Sequence, residues 1–369
     1  MSHLTDTVSS PVSLGDEASS SLNPGTDRAS RRRFIAGAGL AAGVLALPFS
    51  TVRAATLRPV SMRLDWIFQG PNAGFIVAKD KGFYEQAGMD VTIGPGKGSG
   101  STAQLIATKA SQFGFADGFV VGNSVSKGMN IRMVGAVYRR NPTAVVVLED
   151  SGIRTAKDLE GKSIGIPSGA AQFQQFPAFM KGCGLDPAKV RIVNIDAAGS
   201  APALITGQVN AVAGFAQGYI PGIEFRGGKK ARALWYADCG VAAVSNGIIV
   251  HNDLLREDPA LVGDFVAASL RGFLYARRNP DETVQIVKKY LETIEPAITR
   301  REMELSWNTW VTPNTAGKPL GWMSDKDWAA TVDVLKTYGG VTTPLEASQL
   351  YTNEFVPTAA DFVPPQPAS

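Results

Sequence analysis

From residue 59 onward, short apolar runs rich in β-branched residues alternate with segments of helical spacing, and this alternation constrains the fold more than any other feature. It predicts strands over 60–66, 89–93, 112–116, 131–137 and 144–148, with helices over 74–81 and 101–109 between the earliest of them. A second series follows, with helix 156–160, strand 163–166, helix 171–182, strand 191–194, helix 201–207, strand 211–214 and strand 246–250. Helical segments over 259–278, 281–290 and 299–310 come last and do not alternate with strands. Repeated β-α-β units give largely parallel sheets covered by helices. The chain therefore reads as α/β, with two doubly wound lobes joined by two extended crossings near 143–148 and 245–250 and a ligand cleft between the lobes. On this reading 55–145 and 247–361 build the first lobe, the C-terminal helices included, and 146–246 the second. The tail 362–369, with Pro364, Pro365 and Pro367, is expected to be disordered.

Ahead of this region, Arg31-Arg32-Arg33-Phe34-Ile35 precedes an uncharged stretch over 36–52 rich in Ala, Gly and Leu. Paired arginines before such a run read as a twin-arginine export signal over 1–54. The run contains Pro48 and is shorter than the roughly 20 apolar residues of a stable membrane anchor. Passage through the twin-arginine translocase, cleavage by signal peptidase after Ala54 and a periplasmic location are the expectation.

Apolar residues make up 44% of the chain and charged ones 19%, the balance of a folded globular protein. A net charge of +3 without a basic, aromatic-interleaved run beyond the leader argues against a nucleic-acid partner, and a monomer is expected. With Cys183 and Cys239 the only cysteines, a disulfide framework or a four-cysteine zinc site is excluded. Two buried free thiols are expected, with a single disulfide as the alternative. Beyond the leader His251 is the one histidine, which removes multi-histidine metal sites and leaves little for Ser-His-Asp catalysis. It is read as a surface residue at a strand end. No catalytic residue, metal site or cofactor is assigned.

Two Gly/Ser loops precede helices, one in each series: Gly98-Ser99-Gly100-Ser101-Thr102 and Pro167-Ser168-Gly169-Ala170. Unpaired N–H groups at a helix start suit an anionic or carbonyl-bearing ligand, and such loops at the C-terminal ends of strands line clefts in open α/β sheets. The first loop also fits a relaxed dinucleotide fingerprint, with Asp117 in the acidic position, so an exported nicotinamide oxidoreductase is an alternative of a different class. Between the first strand and helix, Asp65, Trp66, Gln69 and Asn72 combine an aromatic face with orienting polar groups. Gln217 and Tyr219 take the corresponding place in the second series, and Asn246 opens the second crossing. The candidate ligand contacts are therefore Asp65, Trp66, Gln69, Asn72, Ser99, Gly100, Ser101, Thr102, Asp117, Ser168, Gly169, Ala170, Gln217, Tyr219 and Asn246.

The order Leu64-Asp65-Trp66, then Lys79-Asp80-Lys81-Gly82-Phe83-Tyr84-Glu85, Gly100-Ser101-Thr102-Ala103-Gln104-Leu105 and Tyr351-Thr352-Asn353-Glu354-Phe355 resembles the thiamine-pyrimidine-synthase-like family of solute-binding proteins. That family includes thiamine-pyrimidine, nitrate, taurine and alkanesulfonate binders. The resemblance implies a type II periplasmic-binding fold, closure of the lobes on a small-molecule solute, and an ABC permease in the inner membrane as partner. It leans towards the pyrimidine-precursor branch, although that branch tends to carry a histidine where this chain has Asn72. The histidine and cysteine-rich motif of the family's eukaryotic synthases are missing, which implies a binding protein rather than an enzyme. A planar nitrogen-containing or aromatic solute and a sulfonate-type oxyanion both remain open.

Overall fold

The computed structural model describes residues 56–365, so the export-signal reading of 1–54 lies outside the described residues. The chain opens with β1 (Arg58–Arg63), in which Val60 and Met62 point inward and alternate with more exposed neighbours. There follow α1 (Ala73–Asp80), α2 (Phe83–Gln86), β2 (Met89–Gly94), α3 (Ser99–Ala107), β3 (Phe113–Asp117), α4 (Gly118–Ser126) and β4 (Ile131–Ala136). The chain then crosses to a second sheet, with β5 (Thr143–Leu148), β6 (Ser163–Gly165), α5 (Ala171–Gly182), β7 (Arg191–Val193), α6 (Ser200–Ile205), β8 (Ala211–Phe215), α7 (Ala216–Gly227) and β9 (Ala231–Trp235). It returns as β10 (Asn246–His251), followed by α8 (Asn252–Glu257), α9 (Pro259–Arg278), α10 (Pro280–Tyr290), α11 (Pro296–Trp307), α12 (Asp325–Thr337) and α13 (Ala347–Leu350).

The two sheets are equivalent in strand order, β2-β1-β3-β10-β4 in the first lobe and β7-β6-β8-β5-β9 in the second. In each, the fourth strand is the one that arrives from the other lobe, and it runs antiparallel to both neighbours. The other four strands of each sheet share one direction, so the sheets are largely parallel as expected, and the exception is the strand entering from outside the lobe, which meets β3 or β8 head-on. The crossings themselves are 137–142 and 240–245, just ahead of β5 and β10. They bond to one another and to β10, through Ser245 N–H to the Tyr138 carbonyl (3.0 Å) and Tyr138 N–H to the Asn246 carbonyl (2.8 Å).

Phe75, Phe113, Phe115, Phe265 and Phe273 fill the first lobe between the sheet and α1 and α9, with Trp310 sealing one end. Phe176, Phe179 and Tyr236 do the same beneath the second sheet. Trp310 and Trp328 are buried packing residues, as their spacing suggests, but α11 begins at Pro296, a residue preorganised for a first helical turn, and ends at Trp307, so Trp310 lies beyond it. Cys183 and Cys239 form a disulfide with Cα atoms 5.0 Å apart, within ordinary disulfide range, tying the end of α5 to the turn before the second crossing. The two-thiol expectation is thus replaced, and neither cysteine is fully buried. The tail is ordered further than expected. Leu320 N–H bonds to the Phe362 carbonyl (2.8 Å) and Pro364 is buried. Only 366–369 of that segment lie outside the described residues.

Candidate ligand-binding site

The site starts where β1 stops. Leu64 N–H still pairs with the Gly94 carbonyl, but the next two carbonyls turn to the neighbouring loop, Asp65 O accepting from Gly98 N–H (2.6 Å) and Trp66 O from Gly96 N–H (2.9 Å). Thr102 Oγ1 donates to the Leu64 carbonyl (2.8 Å), so α3 clamps the same loop from below. The expected strand over 60–66 therefore ends at Arg63, because the backbone that would extend it is used to stitch two loops together at the C-terminal edge of the sheet.

Across the cleft, the loop after β6 meets this edge. Gly100 N–H reaches the Gly169 carbonyl (3.3 Å), and Asn123 Nδ2 donates to Gln174 Oε1 (2.8 Å). Gly98 has φ +124°, and a Cβ built there would lie 2.0 Å from the Gly169 carbonyl oxygen. Glycine is required here twice over, by the dihedral and by the approach of the opposite lobe. The glycines of the dinucleotide-like match are thus engaged with the other lobe's backbone.

Asp65, Trp66, Gln69, Asn72, Ser99, Ala170 and Tyr219 line the resulting cleft. Pro71, Gly98, Phe115, Tyr138, Ala171, Gln172, Phe215 and Gly218 complete its wall. The atom-free space, counting the open solvent at its mouth, is about 570 Å³. Ser168 and Gly169 sit at the outer end of the cleft beside Trp66 and Lys97. Five other sequence candidates stand behind the wall or at its seam. Gly100 makes the lobe-to-lobe bond, the Ser101 hydroxyl bonds to the Gly98 carbonyl (2.8 Å), Thr102 holds Leu64, and Asp117 and Asn246 belong to a buried network. Gln217 is 3% exposed and its Nε2 has no hydrogen-bond partner.

That network runs from the cleft into the crossings. Asn246 Nδ2 donates to Asp65 Oδ2 (2.7 Å), and the Ser245 hydroxyl bonds to Asp117 Oδ2 (3.0 Å). Asp117 Oδ1 accepts from Phe119 N–H (3.0 Å), Val120 N–H (3.3 Å) and Gln175 Nε2 (2.9 Å), the last from the second lobe. Burial pushes the Asp65 carboxyl up to about 7, against the Asn246 hydrogen bond. It pushes Asp117 to about 6, against Ser245 and the α4 amides. Four donors surround Asp117 and one side-chain donor serves Asp65, so Asp117 is the carboxylate of the pair and Asp65 holds the proton longer. Tyr138, whose hydroxyl donates to the Pro71 carbonyl, packs edge-on against Phe115 and Phe215 and makes an aromatic wall that spans both lobes.

The sequence did not point to Phe115 or Tyr138, which lie in an apolar strand and a crossing and read as core. His251 caps α8 at the opposite end of β10, its Nδ1 accepting from Asp253 N–H (3.1 Å). Five strand steps, roughly 17 Å, separate it from Asn246 and the cleft.

Two equivalent sheets, paired crossings and a polar-and-aromatic cleft at the strand ends are accompanied by a match of residues 70–283 to the profile described as NMT1/THI5 like. The chain belongs to the NMT1/THI5-like family. Within reach of this family, the riboflavin-binding protein RibY of Chloroflexus aurantiacus is 28% identical over 311 residues, covering 82% of this chain and 87% of RibY. The 4-amino-5-hydroxymethyl-2-methylpyrimidine phosphate synthase of Legionella pneumophila is 21% identical, covering 81% of this chain and 92% of its own. Among solved structures, the alkanesulfonate-binding protein SsuA from Xanthomonas axonopodis pv. citri bound to MOPS superposes with a TM-score of 0.64 at 16% identity, over 81% of this chain and 99% of SsuA. The fold is that of the solute-binding proteins of ABC importers.

Proposed function

We propose that the chain is the exported solute-binding component of an ABC-type importer, and that it captures a small planar nitrogen heterocycle without transforming it. One observation carries the choice of ligand. Among the described residues the wall around Asp65 contains no Lys, Arg or His, Lys97 standing only at the outer end of the cleft, and its one acidic group is the buried Asp65. A sulfonate or nitrate placed there would meet a carboxyl rather than a cation. The N–H groups that an oxyanion needs at the two loops are partly spent, Gly100 on Gly169, Thr102 on Gly98 and Ala170 on Pro167. A carboxyl that holds its proton near neutrality both donates and accepts, which complements the adjacent donor and acceptor of an aminopyrimidine or ring imide. Trp66, Tyr138 and Phe215 offer faces or edges to a ring between them. The isoalloxazine of riboflavin, named for the relative RibY, has such an imide edge. Export is supported by the paired arginines and by the disulfide, a bond that persists in oxidising compartments.

The test is calorimetry on the purified protein with an aminopyrimidine, riboflavin, MOPS and taurine. A heterocycle is expected to bind and the sulfonates are not. In Trp66→Ala the loss of stacking and buried area, about 1–3 kcal/mol, weakens the heterocycle roughly 5- to 150-fold. Binding of MOPS or taurine with no response to any heterocycle would overturn the reading.

A further inference from the structure

A second space lies beside the cleft, also between the lobes. Its first-lobe wall comes from Ile67, Phe68 and the start of α11, and its second-lobe wall from α6 and α7. With its mouth it encloses about 790 Å³ free of atoms, more than the cleft itself. Gln69, Gly218 and Tyr219 line both spaces. The partition is the Gln69 side chain lying on Gly218, with Oε1 3.4 Å from where a Cβ on Gly218 would stand. That side chain is half-buried.

The side chamber is polar in a particular way. Glu302, on α11, is 5% exposed and accepts from Gly70 N–H through Oε2 (2.9 Å), which leaves Oε1 without a protein hydrogen bond. Tyr219 is 7% exposed, and its hydroxyl is enclosed with no hydrogen-bond partner; the nearby Ser200 hydroxyl donates to the Asp196 carbonyl (2.9 Å) instead. The cation at the rim, Arg226, is paired with Glu295 across the lobes. Ala197, Ala198 and Ala201 leave room between these groups. A buried acid and an unpartnered hydroxyl beside a neutralised arginine suit hydroxyl groups, and they oppose a phosphate or carboxylate.

We infer that the solute has two parts: a planar ring in the cleft and a neutral, hydroxylated side chain that displaces Gln69 and runs into the side chamber, where Glu302 and Tyr219 bind its hydroxyls. This rests on the heterocycle reading and narrows it to flavin-like solutes. Burial pushes the Glu302 carboxyl up to about 7, so it can donate to a hydroxyl as well as accept.

The experiment is titration of the whole protein with riboflavin and with lumiflavin, the same ring carrying a methyl group in place of the polyhydroxylated chain, followed by flavin fluorescence. Wild-type protein is expected to bind riboflavin at least tenfold more tightly. Glu302→Gln and Tyr219→Phe are each expected to shrink that preference to about threefold or less, and Glu302→Gln, whose side chain lies outside the cleft wall, is expected to leave lumiflavin affinity within twofold. Equal affinity for the two flavins, or an undiminished preference in both variants, would overturn the inference and leave the ring reading intact. An aminopyrimidine that binds where neither flavin does would have the same consequence. Failure of every heterocycle would overturn both.

Discussion

Asp65 is held by contacts that no local pattern reveals. Asn246, its hydrogen-bond donor, is 181 residues away in the chain, and the carboxyl sits 8% exposed at the floor of the cleft. Its protonation has a measurable signature. With the folded-state value raised to about 7 from 3.8, the folded protein binds more protons than the unfolded chain between those limits. Stability from this group is therefore present in acid and is lost as pH rises through about 7, the reverse of a salt-bridged aspartate. The full interval corresponds to something on the order of 4 kcal/mol. Asp117 and Glu302 are raised for the same reason, burial, and act in the same direction. Thermal melts are expected to show the midpoint falling from pH 5.5 to pH 8, with a shallower slope in Asp65→Asn than in wild type. A flat wild-type profile would mean that Asp65 is solvated. At this scale the sequence was informative wherever a side chain meets the cleft from a loop, as Trp66, Gln69 and Asn72 do. It was silent on Tyr138, whose position in a crossing carries no periodicity at all.

At the scale of elements, α5 and α9 are found where helical spacing puts them, whereas α4 and α7 went unpredicted. The reason is physical. Helix α4 reads GFVVGNSVS and α7 carries Gly218, Pro221 and Gly222, residues of poor helix propensity. Each is stabilised by something other than propensity, α4 by the Asp117 cap and α7 by packing on β5, β8 and α11. Strand β9, at the sheet edge and half-exposed, lacks the continuous apolar run that made β5 legible. The disulfide at the end of α5 closes a sequence separation of 56 residues, for which loss of chain entropy predicts roughly 4 kcal/mol of stabilisation. Replacing both cysteines by serine is expected to lower the urea midpoint without altering ligand affinity, since neither residue lines the cleft. An unchanged midpoint would show that the bridge constrains little.

On the scale of the whole molecule, the lobes meet along a seam where Gly98 lies against Gly169. Gly98→Ala would place a methyl group 2.0 Å from the Gly169 oxygen and impose a side chain at φ +124°. That variant is expected to fold yet fail to close, so small-angle scattering with ligand should show compaction in wild type and none in the variant. Equal compaction would mean the lobes close about another line. The two-lobe plan was readable because apolar runs recur in two series. The crossings were displaced by several residues because β5 and β10 have the same apolar character as any buried strand. That β10 is the fourth strand of the first sheet has a further consequence, for the order in which the chain assembles. The second sheet needs only residues 143–235 and can form as soon as they exist. In the first, β3 and β4 have no common partner until a strand more than 100 residues later inserts between them. Contacts so distant in sequence form slowly. The first lobe to begin is then the last to finish, and the step that finishes it also brings Asn246 to Asp65.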